Sequence, residues 1–310
     1  MIIGVDNGNA QTKTAHVVFP SGAMSHDSYP EFSNEVLKFR DKYYTLNSKR
    51  SDVKRDKTQT IECFILTLFA IAKEIEYRNQ YQEYIPVDLA VGVPWQTAKN
   101  TANLRKFHDY FLKFGQDIYF EYNKKPYNIS IQQVFVSAQG FAITFNITGV
   151  FKQYNRVFII DIGGWTVDCL LVTPNGVTME YSISKPYGVI QFFNKVKNRI
   201  LEDFDQVIED VHIIDTLYNR PTVLSPDVRN IILEEAEHYP LTLVNSFKED
   251  NIDLSTNPAV FMGGGSILLK NQLSNSPNIA KAFFIDDVCA NAQGYERMVA
   301  EAKKKAAVKE

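Results

Sequence analysis

The chain carries one short unit twice, and that doubling constrains its fold more than any other feature. An apolar run, MIIGV, ends in Asp6-Asn7-Gly8-Asn9 and resumes as TKTAHVVF. A second run, RVFII, ends in Asp161-Ile162-Gly163-Gly164 and resumes as TVDCLLVT. Each reads as two strands joined by a tight turn, with glycine letting the backbone reverse. Pro20-Ser21-Gly22 closes the first unit, and Pro174-Asn175-Gly176 is a hairpin turn in the second. At 310 residues the chain exceeds what one hydrophobic core usually serves, so two domains are expected.

The stretches between the units alternate helices with strands. Residues from about 25 to 57 are polar, broken by short apolar pieces, and read as a small inserted subdomain rather than core; the basic NSKRSDVKRDK reads as a solvated loop. Thr58 opens a long helix in which Ile61, Ile65, Leu68, Ala72 and Ile75 recur at helical spacing. VDLAVGV is a buried strand stopped by Pro94, TANLRKFHDYFLKF a helix, SIQQVFV a strand, and SAQGFAITFNITG a helix ending at Gly149. The second half predicts helices from about Val189 to Asp210 and Pro226 to His238. A strand (AVFM), three glycines, a helix, a strand (KAFFI) and a last helix from Val288 to about Lys305 follow. This is an α/β pattern.

The two turns carry the chemistry. Two such hairpins facing each other would offer backbone N–H groups as a clamp for a polyphosphate. Two carboxylates at strand ends would hold hydrated Mg²⁺ through oxygen ligands. In VFMGGGSILL, Gly263, Gly264 and Gly265 let a flat ligand approach the backbone, and the helix start near Ser266 favours negative charge. In ANAQGYERM, Gly294 sits in a helical pattern beside Ala290 and Ala292, which points to a close helix–helix contact.

Other classes are not supported. The net charge of −3 gives no whole-molecule attraction to a phosphate backbone, so direct nucleic-acid binding is not expected. Cys63, Cys169 and Cys289 are too few and too widely spaced for a disulfide framework or zinc knuckle and read as reduced core residues. The N-terminus reaches a charge at Asp6, leaving no room for a signal peptide, and no apolar run is long enough to span a bilayer. A cytoplasmic protein without membrane association is expected. No Ser-His-Asp, Cys-His or metal-ligand spacing can be argued from residue order.

Taken in order, these pieces resemble the actin, chaperone-ATPase and sugar-kinase superfamily. DNGNAQTK is similar to its first phosphate motif, VFVSAQGFA to its first connecting helix and DIGGWTVD to its second phosphate motif. MGGGS is similar to its adenosine motif and ANAQGY to its second connecting helix. Within the superfamily the look is that of the ParM (StbA) plasmid-segregation actins, on DIGGWTVD, the GGG form of the adenosine motif and the compact length. The resemblance implies an α/β, actin-like two-lobed fold with a nucleotide cleft between the lobes. Each lobe would be a mixed five-stranded sheet flanked by helices with a small inserted subdomain. Lobe I would span 1–150 plus 286–310 with its insertion at about 25–57, and lobe II 151–285 with its insertion at about 205–255.

It also implies residue roles. Asp6 and Asp161 would position Mg²⁺ through water and take part in catalysis. Gly8, Asn9, Gly163 and Gly164 would donate backbone N–H groups to the phosphates, and Lys13 would contact the β-phosphate. Asn7 belongs to the same phosphate-binding set, as does Trp165, which is also read as packing or cleft wall. Gly263, Gly264 and Gly265 would pack against adenosine, and Gln139 would orient the attacking water. ParM proteins often place a glutamate in that region; a neutral amide positions water but is a poor general base, so hydrolysis should be slow. Asp168 either assists the water or metal shell or bonds within the hairpin. Lys195 and Arg199 either flank the base or lie on a solvated helix face.

The implied function is an ATPase that polymerises head-to-tail on binding Mg-ATP, with GTP as the alternative nucleotide, and disassembles after hydrolysis. It would drive plasmid segregation through a separate DNA-bound adaptor, with the region from Tyr43 to Lys57 at a subunit contact. A phosphotransferase of the sugar- or acetate-kinase kind, and a non-polymerising nucleotide sensor or chaperone, are the competing readings.

Overall fold

A computed structural model describes residues 1–47, 56–140, 153–173 and 175–308. The chain divides into two units, Met1–Asn146 with Cys289–Glu310, and Ile147–Val288. The first runs β1 (Ile2–Asn7), β2 (Gln11–Lys13), β3 (Val18–Pro20), β4 (Ala23–His26), β5 (Val36–Phe39) and β6 (Lys42–Leu46). A 3₁₀ turn (Lys57–Gln59), α1 (Glu62–Tyr77), β7 (Ile85–Val93), α2 (Trp95–Ala98), α3 (Thr101–Leu112), β8 (Asp117–Tyr122) and β9 (Lys125–Ala138) follow. The second runs β10 (Val157–Ile162), β11 (Val167–Thr173), β12 (Gly176–Lys185), α4 (Val189–Phe204), α5 (Asp210–Leu217) and α6 (Pro226–Lys248). It continues through β13 (Pro258–Met262), α7 (Gly264–Leu268), α8 (Lys270–Asn275) and β14 (Lys281–Phe284); α9 (Ala290–Ala307) returns the chain to the first unit.

The doubled sequence unit becomes a doubled topology. Strands β3-β2-β1-β7-β9 form a mixed sheet in which β1 pairs β2 and β2 pairs β3 antiparallel, while β1, β7 and β9 run parallel. Strands β12-β11-β10-β13-β14 repeat that pattern of directions in the same order. In each of these five-strand sets the acid-bearing strand is the middle one. Residues 3–7 of β1 and all of β10 are buried, the continuous apolar pattern of strands covered on both faces.

The first sheet continues past β9 through β8-β5-β6-β4 to nine strands. Polarity in residues 25–57 hides this. Val36, Leu37, Phe39 and Tyr44 are buried, and the last three join the unit's main core beside Phe64 and Phe69 of α1. Its strands β5 and β6 contribute to the core instead of standing apart from it. Helix α1 begins at Glu62, four residues after the expected Thr58, because Asp56 caps the short 3₁₀ turn through the Thr58 amide at 3.0 Å. From Cys63 to Ala72 every residue of α1 is buried, so it is a core helix with no solvated face over that span. Ser137 and Ala138, expected to open a helix, end β9; the rest of that expected helix from residue 141 lies outside the described residues, as do residues 48–55 of the basic segment. The three cysteines are buried.

Helix α9 packs on β1 and β7. A Cβ at Gly4 would collide with the Ala292 carbonyl, and one at Gly92 with the Tyr295 ring. Gly4 and Gly92 thus let α9 lie close on these two strands; the helix expected to end at Gly149 lies outside the described residues from residue 141. A buried polar cluster secures the same junction. Glu74, fully buried on α1, accepts from Thr14, from His16 at 2.5 Å and from Arg78 Nε at 2.6 Å. Arg78 also reaches Glu296 of α9 at 2.6 Å, and Glu296 accepts the Gly4 amide at 2.8 Å. Burial pushes the Glu74 carboxyl up, yet these donors bring it below its ordinary value; for Glu296 burial prevails and its pKa is raised.

Candidate functional site

The first hairpin is built by β1 and β2. Asp6 is paired with Lys13 in the antiparallel ladder and Asn7 with Thr12, so Asp6 and Lys13 project from the same face. Asp6 is buried to 4% exposure at the strand end. Its Oδ1 accepts from Gln139 Nε2 at 2.8 Å, so the structure brings together two residues 133 positions apart that the sequence assigned to one task. Asn7 points the other way, donating to Thr67 Oγ1 on α1 at 3.0 Å, which anchors the turn to the helix. The Gly8 amide returns to the Asp6 carbonyl at 3.0 Å, and a Cβ at Gly8 would stand 2.6 Å from the Gln11 carbonyl oxygen. The amides of Asn9 and Ala10 donate no hydrogen bond among the described residues and are available to an anion.

The second hairpin repeats this construction. Asp161 is paired with Asp168 across β10 and β11, both buried, and the Thr166 hydroxyl donates to Asp168 at 3.4 Å. Asp168 therefore occupies in this unit the ladder position that Lys13 holds in the other. The Gly163 amide closes the turn on the Thr166 carbonyl at 2.9 Å, while the amides of Gly164 and Trp165 donate no hydrogen bond among the described residues. The turn's carbonyls are all used. Gly163, Gly164 and Trp165 accept from Val189, Ile190 and Gly188 at 3.1, 2.8 and 3.0 Å, so the start of α4 is capped by the turn. Gly188 permits this approach, since a Cβ there would lie 2.6 Å from the Trp165 nitrogen. The sequence analysis missed this link, although the Gly before the α4 pattern was its one local sign.

The three glycines between β13 and α7 have separate reasons. Gly263 has φ +84°, and a Cβ there would meet Asp161 Oδ1 and stand 2.6 Å from the Ile162 carbonyl. At Gly265 a Cβ would press on Ile162 and Val189. These two are demanded by their own unit. Gly264 alone faces open space, with nothing within 4 Å of an added Cβ, and is the one of the three that a ligand could approach.

Each unit by itself offers a strand-end carboxylate of the kind hydrated magnesium takes, one or two at a time with several waters kept. Asp6 retains one carboxylate oxygen with no hydrogen bond among the described residues, and Asp161 holds the equivalent strand-end position in its own sheet. Lys57 is a site residue that sequence reasoning missed. Its ammonium donates to the Asn7 carbonyl at the end of β1. Burial lowers the Lys57 pKa, against the opposite pull of Cys63 and Asp6. Lys195 and Arg199 belong elsewhere. They bind Glu235 of α6 at 2.8 and 3.0 Å, and Arg199 also takes Glu234 at 2.8 Å, so they tie α4 to α6.

Known structures place this architecture. The archaeal actin homolog Ta0583 superposes with a TM-score of 0.76 at 17% identity, covering 97% of this chain and 99% of that one. A ParM filament from Clostridium botulinum gives 0.72 at 16% identity over 97% and 99%, and the apo pSK41 ParM protein 0.71 at 15% over 98% of each chain. Ta0583 has also been solved with ADP, and that complex matches with a TM-score of 0.75. No protein-family model and no curated protein sequence matches the chain. The chain has the actin-like fold over nearly its full length.

Proposed function

From that fold we propose that this protein is an actin-like ATPase that binds Mg-ATP through the turns of its two units, assembles head-to-tail and disassembles after hydrolysis. The observation that carries the reading is the repeated hairpin: in each unit a buried aspartate ends the central strand beside a turn with uncommitted amides. Asp6 and Asp161 position Mg²⁺ through its water shell, which supplies charge neutralisation for the transferring phosphoryl group. The amides of Asn9, Gly164 and Trp165, with Lys13, take the phosphates, while those of Gly8 and Gly163, expected to join them, are spent closing their own turns. Gly264, flanked by Gly263 and Gly265, takes the adenosine side. Gln139 donates to Asp6 and so presents its amide oxygen to the attacking water.

Self-association is in keeping with this fold, which filaments of ParM-type and Alp12 proteins share. Phe32, Val207 and Val223 are almost wholly exposed, at 102%, 88% and 93%, and are candidate subunit contacts together with the region around Tyr43. An open head-to-tail arrangement generates filaments. Plasmid segregation through a DNA-bound adaptor is the role we assign, in keeping with the net charge of −3. No helix among the described residues is long and apolar enough to cross a membrane.

Phosphate release tests the assignment. The wild type should hydrolyse ATP slowly, with magnesium required and a specific rate that rises with protein concentration. Gln139→Ala should lower turnover by about ten- to a hundredfold with little change in Mg-ATP affinity, as expected for a group that acts on water. A wild-type rate in that variant would remove Gln139 from the mechanism. A rate that depends on acetate or a hexose would instead favour the phosphotransferase reading.

A further inference from the structure

The two phosphate turns are finished differently on their carbonyl side. In the second unit the carbonyls of Gly163, Gly164 and Trp165 sit on the N-terminal amides of α4, the helix that follows β12. By the repeat in topology, α1 is the matching helix of the first unit, separated from β3 by the strands β4–β6. It does not cap the first turn in that way. It begins at Glu62 with no side-chain cap, and its link to the turn is the Thr67 hydroxyl on Asn7. The space ahead of it is taken by the Lys57–Gln59 turn, and the Lys57 ammonium donates to the Asn7 carbonyl.

We infer that Lys57 is a positioning residue for nucleotide binding, set beside the first turn as the N-terminus of α4 is set beside the second. Lys57 takes one carbonyl, that of Asn7 where the strand enters the turn, while the Ser21 amide takes the Ala10 carbonyl at 3.1 Å; the ammonium sets positive charge beside the turn's free amides, which favours an anion there. A helix N-terminus carries about half an elementary charge, and a lysine ammonium carries a whole one. Its place is fixed by the residues beside it. Asp56 holds the Thr58 amide at 3.0 Å and the Lys106 ammonium at 2.5 Å, clamping the 3₁₀ turn to α3. The acid that would otherwise neutralise Lys57 within its own turn is thereby engaged elsewhere. Asp6, the carboxylate next in sequence to Asn7, is held by Gln139.

The inference rests on the nucleotide reading above and assigns Lys57 to the phosphate end of that ligand. Its test is displacement of a fluorescent ATP analogue from the full chain by Mg-ATP, Mg-ADP and AMP. Lys57→Met should weaken Mg-ATP and Mg-ADP about tenfold or more and leave AMP within about twofold, the scale of a lost charge-assisted hydrogen bond. Lys57→Arg should restore most of the loss. If Lys57→Met folds poorly, Lys57→Gln makes the same comparison, since its amide can donate to a carbonyl without carrying charge. An unchanged Mg-ATP affinity, or an equal loss for AMP, would overturn the assignment. Absence of Mg-ATP binding by the wild type would sink the nucleotide reading and this inference together, whereas tight wild-type binding with an indifferent Lys57→Met sinks this inference alone.

Discussion

Asp161→Asn is expected to reduce ATP turnover by at least about a hundredfold, the range seen when one preorganised electrostatic group is removed from a phosphoryl- or acyl-transfer site. Asparagine keeps the volume at the end of β10, so Asp161 can lose its charge without opening space beside Gly263. The fold should therefore survive, and the melting temperature should stay close to the wild type. The magnesium concentration needed for half-maximal turnover should rise as well. Asp6→Asn should act in the same direction. It has a second consequence, because Gln139 donates to Asp6 Oδ1 and loses a charged acceptor. Steady-state phosphate release across a magnesium titration reads both effects. Turnover within about fivefold of the wild type would mean that Asp161 does not hold the metal shell, since a missing metal-positioning charge is worth far more than that.

The second large effect separates two adjacent glycines. Gly263→Val should destabilise the chain by about 2–4 kcal/mol, since a branched side chain at positive φ is strained and its Cβ has no room. The obstruction is backbone: the Ile162 carbonyl lies 2.6 Å from the added Cβ, and Asp161 Oδ1 is nearer still. Gly264→Val should leave thermal stability nearly unchanged, because its Cβ meets nothing within 4 Å. Yet it should weaken Mg-ATP by about thirtyfold or more if adenosine lies against this turn, through lost contact and steric exclusion. Thermal denaturation paired with nucleotide titration distinguishes the two variants. A Gly264→Val protein that binds Mg-ATP like the wild type would move the adenosine away from this glycine.

The parts of the site that could be read from sequence are those whose cause is local. A strand-end aspartate beside a glycine turn announces itself within about ten residues, so β1–β2 and β10–β11 were legible as a pair. The family resemblance implied separate roles for Gln139 and Asp6, and the hydrogen bond between them had no sign in the sequence, because the two residues lie 133 positions apart. Lys57 had no local signal at all. It sits at the end of a polar, basic stretch that reads as solvated loop, and it is the 3₁₀ turn at Lys57–Gln59, with Asp56 held by Lys106 of α3, that brings it to Asn7.

The four strands that extend the first sheet were obscured for a different reason. Strand β8, DIYFEY, alternates exposed and buried positions and carries a usable period-2 signal, but its acidic residues and its shortness hid it between a helix and a longer strand. Strand β5, VLKF, is shorter still; its Leu37 and Phe39 join the core that α1 lines, with the Phe39 ring 5.5 Å from that of Phe64. The glycine reasoning shows the same limit. Three consecutive glycines looked like one ligand-facing loop, whereas only Gly264 is free of packing demands from its own unit. Gly4, which attracted no notice in the sequence, is the residue that lets α9 lie on β1.

The central claim is that this actin-like chain couples Mg-ATP to reversible self-assembly, and right-angle light scattering against protein concentration tests it most directly. With Mg-ATP added and phosphate release followed in the same sample, scattering should stay at baseline below a critical concentration and rise linearly above it. It should then decay as phosphate accumulates, and EDTA should abolish the rise. A flat trace at every protein concentration, with hydrolysis proportional to enzyme alone, would contradict the account and leave a nucleotide-binding protein that does not polymerise.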